Sequence, residues 1–309
     1  MIVSVIICTY NRVDPIQDCL DSLMKQTRAP DEVIIVDASD TQSLPALLRY
    51  RYGNGPLQIR YFYSRPQRLT RQRNEGIQAS RGDIIFFFDD DVVLEPDYIE
   101  QVMRVYEEDT EGVVGGVQGT LTNVNSRMGW KRRLLMNLFL LDGPGDGRVL
   151  PSGSQRWVAY GESRYLSMHQ PLYIEVMSGC IMSYRRIVVN KFKFDERFST
   201  YGGEDQDFSY RVSRKYRLCY TPLARAEHHS DPLGRLGLGS YFYQSGQSHV
   251  LLFFNSFVHN PLNSLAFGWS ILGRMIFLLV YYRSMDAVKG LLLGYMEGIK
   301  ISSALHRQR

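Results

Sequence analysis

Short, almost unbroken apolar runs recur along the first part of the chain. Residues 2–8 (IVSVIIC), 32–37 (EVIIVD), 57–63 (LQIRYFY) and 83–88 (DIIFFF) have the length and content of strands buried on both faces. Helical spacing fills the gaps between them. Asp14-Pro15 reads as an N-cap followed by proline at the first helical position, with Ile16, Cys19, Leu20, Leu23 and Met24 on one face. Residues 44–52 predict a short helix, 69–80 a basic helix ended by Gly82, and Pro96 opens another through about Tyr106. Apolar strands separated by helices predict an α/β fold with a mostly parallel sheet flanked by helices on both faces.

Residues 112–230 are less regular. A strand is expected at 113–121, an amphipathic basic helix at 127–141, a turn-rich loop at 142–147 (DGPGDG) and a strand with a glycine interruption at 174–186. Residues 201–216 read as a loop entering a helix, and 217–229 as an extended segment ending in paired histidines. No internal repeat is visible. From 241 to 282 aromatic residues alternate with Ser, Asn, Gln and His, and Pro261 divides the stretch. Its apolar segments are short for a clear membrane-spanning helix. They fit two amphipathic helices at a membrane interface, with a third at 289–301. Packing on the body or on a second subunit would cover the same faces.

Composition narrows the class. The 309 residues are 44% hydrophobic and 22% charged, which excludes collagen, low-complexity disorder and a multi-span membrane protein. Residues 1–230 balance 29 Lys+Arg against 29 Asp+Glu, while 231–309 carry 7 against 3, so the tail holds the whole net charge of +4. Residues 236–273 contain no Asp, Glu, Lys or Arg. A neutral body with a basic, aromatic tail suits a membrane surface better than nucleic acid. The division predicts a body at 1–230 and a C-terminal helical region at 231–309. Cys8, Cys19, Cys180 and Cys219 are widely spaced, so neither a zinc site nor a disulfide framework is indicated, and a reducing cytosol is the simpler expectation. The opening run is short and no basic residue precedes it, so it reads as a strand rather than a leader.

In sheets of this type ligands sit outside the carboxyl ends of the strands. That rule selects residues 9–12, 37–40 and 89–91. Three consecutive aspartates after an apolar strand are costly without a compensating cation. On an extended backbone Asp89 and Asp91 share a side, and two oxygen ligands with open positions suit Mg²⁺ or Mn²⁺. A solvated acidic turn is the alternative. Glu204, Asp205 and Asp207 start a helix, where acids are favoured by the dipole without any further role. His228 and His229 would point to opposite sides of a strand.

Taken together, TYNR (9–12), VDASD (36–40), RQRNEGI (71–77), FFFDDDV (86–92) and GGEDQDFSYR (202–211), in this order, resemble family 2 glycosyltransferases with the GT-A fold. The resemblance covers residues 1–230. It implies that Asp89, Asp90 and Asp91 form the family's DxD motif, with Asp89 near the donor ribose and Asp91 as metal ligand. Asp89 would share the metal, and His228 would complete its site. Thr9, Tyr10, Asn11 and Arg12 match the first nucleotide-binding loop, Asp37 the acid at the base, and Arg73 an arginine near the diphosphate. Asp205 matches the catalytic base, and Glu204 falls on the acceptor side. Arg211 is expected to make a structural ion pair. One departure stands out: residues 68–72 (RLTRQ) are bulkier and more basic than the small residues common there.

The resemblance implies an inverting, Mn²⁺- or Mg²⁺-dependent transfer from a nucleoside-diphosphate sugar. The acceptor would be a glycan or lipid-linked saccharide in polysaccharide biosynthesis. The enzyme would be peripheral on the cytosolic face of a membrane, with a homo-oligomer open. A sugar nucleotidyltransferase would show a glycine-rich basic loop after the first strand, which TYNR is not. A P-loop hydrolase would show GxxxxGK[ST], which is absent. An inactive sugar-nucleotide-binding protein would have no reason to keep Asp89, Asp91, Asp205 and His228 together.

Overall fold

The computed structural model describes residues 1–306 except 125, 127, 161, 163–164, 166, 169, 199–201, 230–236 and 258–259. The chain begins with a repeating strand–helix unit. It comprises β1 (Val3–Thr9), α1 (Val13–Met24), β2 (Glu32–Asp37), α2 (Ser43–Tyr52), β3 (Ile59–Tyr63), α3 (Leu69–Ala79) and β4 (Ile84–Asp89). The four strands pair in parallel in the order β3-β2-β1-β4. Every residue of β2 is buried, as an apolar strand in a sheet covered on both faces requires.

α1 starts earlier than its Asp-Pro signal suggested. Asn11 adopts φ 55 and its N–H donates to the Ser39 hydroxyl at 2.7 Å, so the chain turns there. Arg12 becomes the N-cap, and Pro15 sits inside the first turn rather than at the first helical position. By contrast, α4 (Tyr98–Glu108) begins later than expected, two residues after Pro96, with Asp97 at its N-cap.

The second half adds strands of both directions. β5 (Val92–Leu94), β6 (Val114–Leu121), β10 (Leu172–Ile174), β11 (Ile181–Arg185) and β12 (Arg217–His228) complete the sheet. Its order is β10-β12-β6-β11-β4-β1-β2-β3, with β5 against β12. β11 is antiparallel to both β4 and β6, and β12 runs parallel to β6. The strand expected at 174–186 is therefore two strands with a connection at 175–180. Within that connection the Ser178 N–H donates to Gln118 Oε1 at 2.7 Å. The supposed loop at 142–147 contains β7 (Gly143–Gly145), which forms a small sheet with β8 (Arg148–Val149) and β9 (Gln155–Val158). Turn composition did not reveal it, because the pairing partner lies on a separate strand.

Between these strands lie α5 (Trp130–Leu138), α6 (Arg186–Lys191) and α7 (Glu204–Ser213); α8 (Leu238–Ser256), α9 (Pro261–Phe277) and α10 (Met285–His306) follow. Asn260 caps α9 by accepting from the Asn263 N–H at 2.8 Å, with Pro261 at the start. The helix continues through a π-helical turn, Leu278–Tyr282. α8 and α10 run side by side in the same direction along a glycine seam. A Cβ on Gly290 would lie 2.1 Å from the Gly239 carbonyl oxygen, and one on Gly294 2.0 Å from that of Tyr243. A second hydrophobic core joins Val250, Phe253, Phe267 and Leu291 of these helices to Met136 and Phe139 around α5. One face of the tail thus packs on the body. The opposite face of α9 is open, with Leu262 76% and Leu265 72% exposed.

Candidate active site

β4 carries Asp89 to its carboxyl end, and the β5–β12 ladder sets His228 opposite Val92. Ligand atoms of Asp89, Asp91 and His228 therefore all lie within 4.8 Å of one another. His228 Nε2 is 2.9 Å from Asp91 Oδ1. Strand alternation turns His229 away, to Glu227 at 2.7 Å. Two carboxylates and an imidazole form a donor set that could hold a divalent cation. Burial works against charge on His228, but the Asp91 and Asp89 carboxylates outweigh it and raise its pKa.

Asp90 faces inward, away from this cluster. It is buried, accepts from Thr9 Oγ1 at 2.6 Å and receives Arg12 Nη1 at 2.9 Å. The same Arg12 nitrogen is 2.9 Å from Asp91 Oδ2. Burial pushes Asp90 up to about 6, against the opposing pull of Thr9 and Arg12. Asp90, Thr9 and Arg12 were expected at the donor. In the structure Thr9 and Arg12 hold Asp90, which turns away from the cluster because alternate residues at a strand end point to opposite sides.

The nucleotide end shows a similar exchange of roles. Asp37 is 0% exposed. Its oxygens accept from the Ser39 N–H at 2.8 Å, the Ser39 hydroxyl and Tyr61 OH at 2.9 Å. It was expected to meet the base; in the structure its Oδ1 takes both Ser39 donors and its Oδ2 the Tyr61 hydroxyl. The accessible acid is Asp40, which accepts from Tyr10 OH at 2.8 Å, Asn11 Nδ2 at 3.0 Å and Arg65 Nη2 at 2.7 Å. These bonds, Asn11 first and then Arg65, hold its carboxyl down at about 2. Arg65 also lies over the Tyr63 ring, 5.5 Å from its centre. The sequence reasoning missed Arg65, Tyr61 and Tyr63, although the carboxyl-end rule applied to β3 would have selected 63–65. Gln72, in the departing segment, donates to the Thr9 and Val36 carbonyls at 3.0 and 2.8 Å and ties the ends of β1 and β2 together.

Arg73 and the α7 acids lie next to the Asp89–Asp91–His228 cluster. Arg73 is 3% exposed, pairs with Glu204 at 2.9 Å and reaches Asp89 at 3.6 Å. It was expected at the diphosphate; its burial makes it a bridge between the acid triplet and α7. Glu204, expected on the acceptor side, is buried as well, and its second oxygen accepts from the Gly202 N–H at 2.8 Å. Asp205 is half-buried and accepts from the Gly179 and Gln206 N–H groups at 2.7 and 2.8 Å. Burial, then the neighbouring Glu204 charge, raise its pKa. A partly accessible carboxylate held by two backbone donors and raised toward neutrality can accept a proton. Arg211 pairs with Asp207 at 2.7 Å.

The sheet order, with acids at the carboxyl ends of β2 and β4 and a polar loop after β1, is that of a GT-A glycosyltransferase. Residues 4–192 match the family described as Glycosyl transferase family 2, and the chain belongs to that family. The chain is similar to a putative glycosyltransferase, EpsH, of Bacillus subtilis (strain 168), at 35% identity over 36% of this chain and 32% of EpsH. It is also similar to a glucosyl-dolichyl phosphate glucuronosyltransferase of Haloferax volcanii, at 29% identity over 38% of each. The chain thus spans about a third of the length of these curated relatives. Two solved structures share the fold. S. aureus TarS 1-349 in complex with UDP-GlcNAc has a TM-score of 0.59 at 17% identity, over 97% of this chain and 81% of that one. The mannosyltransferase PcManGT of Pyrobaculum calidifontis, with GDP-Man and Mn2+, scores 0.60 at 16% identity over 96% and 86%.

Proposed function

We propose that the enzyme is an inverting, divalent-metal-dependent glycosyltransferase that moves a sugar from a nucleoside diphosphate to a hydroxyl of a glycan or lipid-linked saccharide. The carrying observation is the convergence of Asp89, Asp91 and His228 within 4.8 Å, linked through Arg73 to the α7 acids. Sugar nucleotides bound by fold relatives, and Mn2+ in one of them, support the donor class and the metal.

In the reaction the acceptor oxygen bonds to the sugar C1, the bond from C1 to the β-phosphate oxygen breaks, and its electron pair leaves with the nucleoside diphosphate. Asp205 takes the acceptor proton as general base. Asp89, Asp91 and His228 would hold a divalent metal, which when bound would supply Lewis-acid stabilisation of the leaving diphosphate. Thr9 and Arg12 fix the acid triplet, while Arg73 keeps Asp89 and Glu204 in place. Preorganised charge of this kind costs no reorganisation during the reaction. Attack on one face with departure from the other inverts the anomeric centre.

The tail suits a membrane surface. α9 and its π-helical turn, 22 residues, are about 33 Å long, and an 18-residue window within them has a mean hydropathy of 1.6, apolar enough to cross a bilayer. One face is committed to the protein through Phe267, Arg274 and Phe277, which favours lying in the interface. Its open face continues onto α5. Trp269 donates to the Leu138 carbonyl at 2.7 Å, and Trp130, Leu134 and Leu138 are exposed beside Lys131. The four free thiols suit the cytosolic side. The Haloferax volcanii relative, named for glucosyl-dolichyl phosphate, supports a lipid-linked acceptor.

The test is a panel of sugar nucleotides assayed for hydrolysis with Mn²⁺ or Mg²⁺ and again after chelation. Metal-dependent release of nucleoside diphosphate from one donor is expected. Absence of release with every donor would sink the assignment.

A further inference from the structure

We infer that the acceptor enters a two-compartment cavity built by residues 132–157 and the C-terminal helices, and that it is a saccharide carried on a phosphorylated lipid. This deepens the proposed function and rests on Asp205 as the base.

The polar compartment, about 170 Å³, is walled by Gly203 and Gln206, which flank Asp205 in the chain. Its remaining lining includes Gln155, Gln244, Ser248 and the rings of Trp157 and Tyr241. Amides and hydroxyls between two aromatic faces are the groups that bind sugar hydroxyls and stack on sugar rings. α8 is tied to the loop before Asp205, because the Ser248 hydroxyl donates to the Gly202 carbonyl at 2.5 Å.

The second compartment, about 130 Å³, is largely apolar, with Met136, Leu141, Phe242, Phe277 and Leu278 in its wall. Asp142, Trp157, Tyr241, Ser245 and Arg274 line both compartments, so the two meet at Arg274. The far wall includes Leu278 and Tyr282 of the π-helical turn, whose Leu279 and Val280 are exposed on the apolar outer surface. The π-helical turn thus puts this compartment directly beneath the face proposed to meet lipid.

The junction is cationic. Arg274 is 9% exposed; it pairs with Asp142 at 2.5 Å and donates to Ser154 and Ser245 at 3.1 and 3.4 Å. Its Nε is buried without a hydrogen-bond partner. Arg132 reaches the apolar compartment from α5, lies 5.1 Å over the Phe277 ring, and its Nε is likewise unmatched. Two guanidinium groups against one carboxylate leave one positive charge to meet an anionic linker. Polar pocket, cationic junction and apolar exit follow the order of sugar, phosphate and hydrocarbon in such an acceptor.

Trp157 lines both compartments, and the other two tryptophans, Trp130 and Trp269, are on the outer face. In the full chain carrying Trp130→Phe and Trp269→Phe, Trp157 emission reports occupancy directly. Farnesyl phosphate is expected to shift it saturably, with half-saturation at least tenfold below that of farnesol, and inorganic phosphate to leave it unchanged. Arg132→Ala and Arg274→Lys should each weaken farnesyl phosphate at least fivefold. Arg132 is only half-buried, so its variant keeps the test alive if Arg274→Lys fails to fold. Equal binding of farnesol, an equal response to inorganic phosphate, no saturable shift, or unaltered affinity in Arg132→Ala would each overturn the inference. Metal-dependent donor hydrolysis in the same preparation separates the two proposals. Normal hydrolysis without lipid binding removes only this one, and no hydrolysis with any donor removes its parent.

Discussion

Arg73 of α3 and Glu204 of α7 form a buried ion pair at 2.9 Å across 131 positions of sequence. The pair fixes the distance between the acid triplet, which Arg73 also reaches, and the helix that carries Asp205. Removing one partner from a buried pair leaves the other charge uncompensated and costs about 3–5 kcal/mol. Glu204→Leu should therefore lower the urea-unfolding free energy by about 3 kcal/mol or more, and Glu204→Gln by less. A loss under about 1 kcal/mol, the range of an exposed pair, would show that the ion pair is not structural.

Asp205, proposed as the base, bears on both turnover and the pH dependence of stability. Its pKa in the folded protein lies above the ordinary carboxylate value. Between those two values the folded state holds more protons than the unfolded chain, so stability falls as pH rises through that window. Asp205→Asn should flatten this slope in melts run from acid to neutral pH. It should also cut transfer by about 10²–10⁴-fold while donor binding persists. Near-normal turnover in the variant would remove Asp205 from the base role.

His228 must be neutral to bind a metal, while Asp91 and Asp89 favour its protonated form when no metal is bound. The Mn²⁺ concentration for half-maximal activity should fall as pH rises through and above the ordinary histidine value of 6.5. His228→Ala should raise that concentration about tenfold or more, since even outer-shell partners are worth that much. An unchanged metal requirement in His228→Ala would exclude it as a ligand.

Gly294 is the close-contact point of the α8–α10 seam. Alanine there would gain about 1 kcal/mol of helix propensity in isolation. Its Cβ, however, would meet the Tyr243 carbonyl oxygen at 2.0 Å, and that atom is backbone. Overpacking costs about 1–3 kcal/mol and wins over propensity. Gly294→Ala should lower the thermal midpoint, and a raised midpoint would contradict the seam geometry.

The outer face of α9 is open to direct measurement. Leu262→Ser, Leu265→Ser and Leu272→Ser alter exposed positions and should each change stability by no more than about 0.5 kcal/mol. Combined, they should reduce flotation with anionic phosphatidylglycerol vesicles by at least about tenfold, given roughly 25 cal/mol per Å² of apolar surface. Flotation unaffected by the triple change, or absent in the unaltered chain, would place some other partner on this face.

Much of the fold was legible because its signals are local. The apolar runs became β1, β2, β3 and β4 with boundaries shifted by only a residue or two, since strands in a covered sheet are mostly apolar; β3, at the sheet edge, is only half-buried. Pro261 split the tail where α9 begins. The short strands β7 and β8 were not legible. Gly143-Pro144-Gly145 carries turn chemistry, and only pairing with residues 156–158 makes it a strand. The start of α1 was misread because Asn11 takes up its turn through Ser39, on another loop.

At the site, the sequence singled out the acid triplet locally, because charges beside an apolar strand stand out, and His228 and the Glu204–Asp205 pair only through the family resemblance. It could not tell which acids face the ligand. Asp90 turns to Thr9, Asp37 to Ser39 and Tyr61, and Glu204 to Arg73, and each choice depends on a side chain brought in by tertiary contact. The sequence by itself determined the elements, the cluster of chemistry at their ends and the apolar, basic character of the tail. The tertiary structure decided the rest: how close His228 comes to Asp91, Arg73 as a buried bridge, and which face of α9 remains open. Those outcomes follow from sheet order and helix packing, which join residues far apart in the chain, and no local pattern encodes them.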